Sequence, residues 1–116
     1  MIVCAVDDLI FSVKISTAAR ALGVGICFER TPGDVVTTIR DKRPALVIFD
    51  LNSGRLAPMS VIAALKADPE LKDTRTLGYV SHVDTATIDA ARRAGIDQVL
   101  ARSAFTARLP EILTSA

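Results

Sequence analysis

Short apolar runs alternate with longer segments of helical character along this chain, and two of those runs end in acids. Ile2-Val3-Cys4-Ala5-Val6 leads into Asp7-Asp8, and Ala45-Leu46-Val47-Ile48-Phe49 leads into Asp50. Runs of this length without polar alternation predict strands buried on both faces, the pattern of a parallel sheet. Residues 9–22 are rich in Ile, Val, Ala and Leu and predict a helix, capped by Asp8 and stopped by Gly23. Val24 to Phe28 reads as the second strand. Thr31-Pro32 opens a helix over 32–41 with Asp34 in its first turn. Its β-branched run from Val35 to Ile39 also has strand character, and Pro44 ends it.

After the third strand the polar residues 51–55 predict a turn, and 59–67 a helix broken by Asp68-Pro69. Thr76 to Val80 reads as a fourth strand interrupted by Gly78. Asp84 caps a helix over 85–94 that ends at Gly95, and Gln98 to Ala101 is a short fifth strand. One last short helix is expected from Ser103 or Thr106, with Pro110 near its first turn, where a missing N–H costs least. Strand and helix thus alternate five times. That order predicts an α/β domain, with helices on both faces of a parallel sheet and right-handed crossovers.

In such sheets ligands bind in the crevice at the carboxyl ends of the strands. If the first and third strands are neighbours, Asp7, Asp8 and Asp50 share that crevice. Two like charges about 4 Å apart repel by roughly 4 kcal/mol at an effective dielectric of ~20. A hard divalent cation such as Mg2+, which prefers oxygen ligands, relieves that repulsion. For these acids the plain alternative is capping and solvation, since Asp8 is a good N-cap with or without a metal.

With 116 residues, 50% hydrophobic and 23% charged, the chain has enough apolar material for one domain, 1–116, and not the composition of a disordered one. A net charge of +1 gives no sign of a nucleic-acid partner, and the cluster Arg40, Lys42, Arg43 suits a helix C-terminus. No apolar stretch approaches the ~18 residues of a membrane span. No signal peptide is recognisable. Cys4 and Cys27 lie in apolar runs without zinc or redox spacing and read as reduced, buried thiols, as in a cytoplasmic protein. The single histidine excludes a multi-histidine metal site.

Several fragments, taken in order, resemble the CheY-like receiver domain of two-component response regulators. They are Val6-Asp7-Asp8, Leu46-Val47-Ile48-Phe49-Asp50-Leu51, Ala67-Asp68-Pro69 and Ala94-Gly95-Ile96-Asp97. The resemblance covers nearly the whole chain. It implies a flavodoxin-like (CheY-like) three-layer sandwich whose five-stranded parallel sheet has the order 2-1-3-4-5. It further implies a stand-alone receiver without an effector domain, a phosphoacceptor signalling protein and not an enzyme. Asp50 would accept a phosphoryl group from a histidine kinase or phosphotransfer protein. Asp7, Asp8, Asp50 and the backbone carbonyl of Asn52 would hold Mg2+. Output would pass to a downstream protein by contact, with no direct nucleic-acid or membrane partner.

The sequence departs from that pattern at the positions that normally surround the phosphoacceptor. The lysine position falls on Arg102, which keeps the charge but replaces an ammonium by a planar fork. The proline usual after it is Ser103, and the proline-glycine turn usual after the phosphoacceptor is replaced by Ser53-Gly54-Arg55. The hydroxyl position falls on Val80 by an ungapped count and on Ser81 after a one-residue slip. The aromatic switch position falls on Val99. With both Val80 and Val99 apolar, coupling between the phosphoacceptor and an output face is expected to be weak or absent.

These departures support a second reading, a pseudo-receiver that binds partners without being phosphorylated. A third is a small-ligand binder of flavodoxin-like fold, disfavoured because no glycine-rich phosphate loop follows the first strand. His82 sits at the expected pocket mouth, as a solvated loop residue or as a modulator of phosphoryl lifetime. Phe105, Leu109, Ile112 and Leu113 read as the core face of the last helix, or alternatively as part of a homodimer face.

Overall fold

The computed structural model describes residues 1–81 and 84–116; His82 therefore lies outside the described residues. In chain order the elements are β1 (Ile2–Ala5), α1 (Leu9–Leu22), β2 (Ile26–Glu29), α2 (Pro32–Lys42), β3 (Leu46–Asp50), α3 (Pro58–Ala67), β4 (Arg75–Val80), α4 (Thr85–Ala94), β5 (Gln98–Ala101), α5 (Arg102–Ala107) and α6 (Leu109–Thr114).

The capping residues do what their chemistry predicts. Asp8 Oδ1 accepts from the N–H groups of Ile10 (2.8 Å) and Phe11 (3.2 Å), and Gly23 closes α1 at φ 69°. Thr31 Oγ1 accepts from Asp34 N at 3.3 Å to open α2. The β-branched content of α2 does not make it a strand, because Val35 and Ile39 lie one turn apart and are both fully buried. Burial of a helical stripe outweighs differences in propensity of a few tenths of a kcal/mol per residue.

Two expectations need correction. The second strand starts at Ile26, not Val24, because Val24 N bonds back to Ala19 O (2.9 Å) and so belongs to the end of α1. The terminal segment is two short helices in place of one, separated at Arg108 (φ −100°, ψ 7°). The reason is Pro110. Within a continuous helix its ring would press on the Thr106 carbonyl and remove a hydrogen bond. A fresh start at Leu109 puts the proline in a first turn, where neither penalty applies.

The sheet is five-stranded and wholly parallel, in the order β2-β1-β3-β4-β5. Alternation along the strands divides the core in two. Val3, Ala5, Val47, Phe49 and Val80 pack with α2, α3 and α4, whereas Ile2, Cys4, Leu46, Ile48 and Tyr79 pack with α1, α5 and α6. Phe105, Leu109, Ile112 and Leu113 are all buried in this second core, within the chain itself. Gly78 is required by packing: a Cβ there would lie 2.6 Å from Leu51 and 2.9 Å from Ile96 Cδ1. Leu51 thus folds over β4 directly after Asp50. Among the described residues, no helix is long and apolar enough to cross a membrane.

Candidate functional site

The β1–β3 register pairs Ala5 with Phe49, so both strands end at one level and release Asp7, Asp8 and Asp50 at the same edge of the sheet. Asp50 pairs with Tyr79 on its other side and is only 5% exposed. Its Oδ1 accepts from Asn52 N at 3.0 Å. Burial holds its carboxyl above the ordinary aspartate range. The Asn52 N–H and the Arg102 charge oppose that shift, while Asp7 and Asp8 reinforce it. Residues separated by some forty positions therefore act on one carboxyl group, as the parallel arrangement of β1 and β3 requires.

Asp8 has two tasks already. Its Oδ1 caps α1, and its Oδ2 lies 3.9 Å from Arg102 Nη2. Among the described residues, no three His, Cys, Asp or Glu side chains are gathered closely enough to hold a metal ion. The donor chemistry still suits a hard cation, since Asp7, Asp8 and Asp50 offer carboxylate oxygens and charge that Arg102 only partly offsets.

Arg102 is the first residue of α5, following the short strand β5, with a trans peptide before Ser103. Its guanidinium rests on Phe11, 4.7 Å from the ring centroid, and 5.9 Å from that of Tyr79. Those rings belong to a stack in which Phe11 and Tyr79 are 4.8 Å apart and Tyr79 and Phe105 4.7 Å. An arginine is better suited than a lysine to such a shelf, because its planar cation stacks on aromatic faces. Phe11 and Tyr79 were not candidates in the sequence. An aromatic residue one turn into a helix, and another in a strand, carry the ordinary signature of core.

Val80 buries its side chain in the core beside α2, α3 and α4, and Val99 packs partly buried against that same core. Ser81 is half-buried, and its N–H donates to Asn52 Oδ1 at 2.7 Å. The side chain of Asn52 also donates to Asp84 Oδ2 at 3.2 Å. It therefore ties the β3–α3 loop to both sides of the β4–α4 loop, a role beyond the backbone carbonyl expected of it. Asp84 in turn caps α4 through Thr87, and these hydrogen bonds hold its carboxyl below the usual range. Cys4 and Cys27 are free thiols; burial pushes the Cys4 thiol far up and leaves it inert.

No protein-family model matches the sequence, and no curated protein matches it. Solved structures do resemble the fold. A response regulator from Hahella chejuensis superposes with a TM-score of 0.86 at 14% identity, over 97% of this chain and 91% of that one. The signal receiver domain of a response regulator from Bermanella marisrubri gives 0.83 at 19% identity, over 98% and 94%. The Mn2+-bound form of response regulator Rcp1 gives 0.75 at 15% identity, over 96% and 89%. The chain has the CheY-like fold of these receiver domains over nearly its whole length.

Proposed function

We propose that this chain is the receiver module of a two-component phosphorelay, with Asp50 as its phosphoacceptor. The observation that supports this most is the convergence of Asp7, Asp8 and Arg102 on the buried Asp50 carboxyl at the strand ends. A carboxylate oxygen of Asp50 attacks phosphorus in line as the P–N bond to a donor phosphohistidine breaks. The imidazole nitrogen keeps the bonding pair and takes up a proton, and an acyl phosphate forms on Asp50. Asn52 N–H holds Oδ1, which orients the carboxylate. The raised proton affinity of Asp50 makes its ionised form the better nucleophile. Arg102 brings fixed positive charge toward the transferring oxygens.

Mg2+, when bound, supplies further neutralisation of that charge. Asp7, Asp8, Asp50 and the Asn52 carbonyl would hold it, and the Mn2+ in the similar Rcp1 structure accords with a divalent cation. The donor is a histidine kinase or phosphotransfer protein, and the setting is cytoplasmic. Output runs by contact with a downstream protein. Leu9 (69% exposed), Ile10 (68%) and Val13 (56%) offer an apolar surface on α1 beside the acids, of the kind that partners cover.

A second reading, an interaction module that works without phosphorylation, is favoured by the engagement of Asp8 with Arg102 and by the burial of Val80. Incubation with a small acyl phosphate donor and Mg2+, followed by intact-mass measurement, separates the two. The phosphorelay reading expects one phosphate adduct in the native chain and none in Asp50→Asn. No adduct in the native chain would leave the interaction module.

A further inference from the structure

Beside the acids, between α1 and α5, the chain forms a cavity of about 770 Å³ that is broadly open to solvent. That lies within the range of sites that take small organic ligands. Two cations approach one ring there: Arg102 Cζ is 4.7 Å and Lys14 Nζ 5.2 Å from the centroid of Phe11. Ser81, Ser103 and Thr106 add hydroxyl groups to the lining. Ala101 and Ala107 contribute no more than methyl groups, which is what keeps the space open.

The charges in this cavity are poorly balanced. Among the described residues the Arg102 guanidinium has one carboxylate partner, Asp8, at the long distance of 3.9 Å. Its Nε is buried without a hydrogen-bond partner among the described residues. Lys14 makes no ion pair among the described residues. Two like charges held beside one aromatic ring repel each other. An anion entering the cavity relieves that repulsion through the accessible parts of the two side chains. The remaining wall, formed by Phe11, Ala101 and Ala107, is apolar and offers nothing to a bare inorganic ion.

We infer that this cavity binds a small amphipathic anion, with a carboxylate or phosphate group between Lys14 and Arg102 and an apolar body along the Ala101–Ala107 wall. The site requires neither phosphorylation of Asp50 nor a metal, so it stands independently of the phosphorelay reading. A ligand here would touch Arg102, and so bears on a cation that also faces Asp8.

The test is titration of the full chain, free of divalent cations, with naphthoate, naphthyl phosphate and uncharged naphthylmethanol, followed by calorimetry and by the amide NMR signals of Phe11 and Thr106. Both anions are expected to bind, and the alcohol roughly tenfold more weakly. The tighter of the two anions identifies the head group. Lys14→Met keeps an apolar stem and removes the charge; it should weaken the anions roughly tenfold and leave the alcohol unchanged. Ala107→Phe, at an exposed position that tolerates bulk, should block all three. Equal binding of anion and alcohol, indifference to Lys14→Met, or no saturation by any probe at millimolar concentration would overturn the inference. So would competition by inorganic phosphate as strong as that by naphthyl phosphate.

Discussion

Replacing Asp50 by asparagine should stabilise this fold. The substitution keeps the shape and an oxygen able to accept the Asn52 N–H, so it isolates the charge. In the native chain that charge is 5% exposed and is repelled by Asp7 and Asp8, with partial relief from Arg102. Each unit by which folding raises a carboxyl pKa costs about 1.4 kcal/mol once the group is ionised. Burial is the largest cause and outweighs the Arg102 attraction that the variant also loses, so a net gain is expected, read as roughly 4 °C in melting temperature for each 1 kcal/mol in a chain of this size. The sign depends on pH. The folded pKa lies above the unfolded one, so the native chain keeps its full stability below the unfolded value and loses part of it as pH rises through the folded value. The variant has no such loss. The gap in urea-unfolding free energy should therefore be present at pH 7 and should close as pH falls toward about 4. A variant less stable than the native chain at pH 7, or a gap that ignores pH, would refute the account of a strained carboxylate.

Mg2+ should raise the melting temperature of the native chain, by about 2.7 kcal/mol of stability at a hundredfold excess over its dissociation constant, and should narrow the gap to Asp50→Asn; an unchanged melt at millimolar metal would count against a metal pocket. Tyr79→Phe removes a buried hydroxyl that has no partner among the described residues and should leave stability equal or up to about 2 kcal/mol higher, whereas a clear loss by chemical denaturation would show that the hydroxyl is bonded. Gly78→Ala would force a methyl group to within 2.6 Å of Leu51, the residue that follows Asp50. It should cost about 1–3 kcal/mol and shift the Asp50 amide signal in NMR spectra, and a native-like melt would contradict the packing described.

The order of elements was legible in the sequence because each element carries its own local instruction. Asp8, Thr31 and Asp84 cap helices through atoms two or three residues away, and Gly23 and Gly95 end them with positive φ. The apolar runs of β1 and β3 need no partner to be recognised as buried strands. The acidic cup followed from these, given parallel neighbours, since strand ends in such a sheet share an edge. The split at Arg108 was the place where a local rule was underused: Pro110 forbids a continuous helix, and the chain restarts so that the proline falls in a first turn.

What lay beyond the sequence are contacts between residues with no fixed spacing. Nothing local says that Arg102 rests on Phe11 and faces Asp8, that Asn52 links two loops across 29 and 32 positions, or that Lys14 and Arg102 both approach the Phe11 ring. The Arg102 and Lys14 pairings depend on how helices α1 and α5 settle against the same face of the sheet, which burial of the Phe11–Tyr79–Phe105 stack decides, and the Asn52 links depend on β3 and β4 being neighbours. The sequence by itself thus determined which elements form and which acids lie at their ends, because capping, alternation and proline geometry act over a few residues. Only the tertiary structure decided how Arg102, already singled out by the family resemblance, is seated beside those acids and where a cavity is left, because side-chain packing sums many weak contacts from the whole chain.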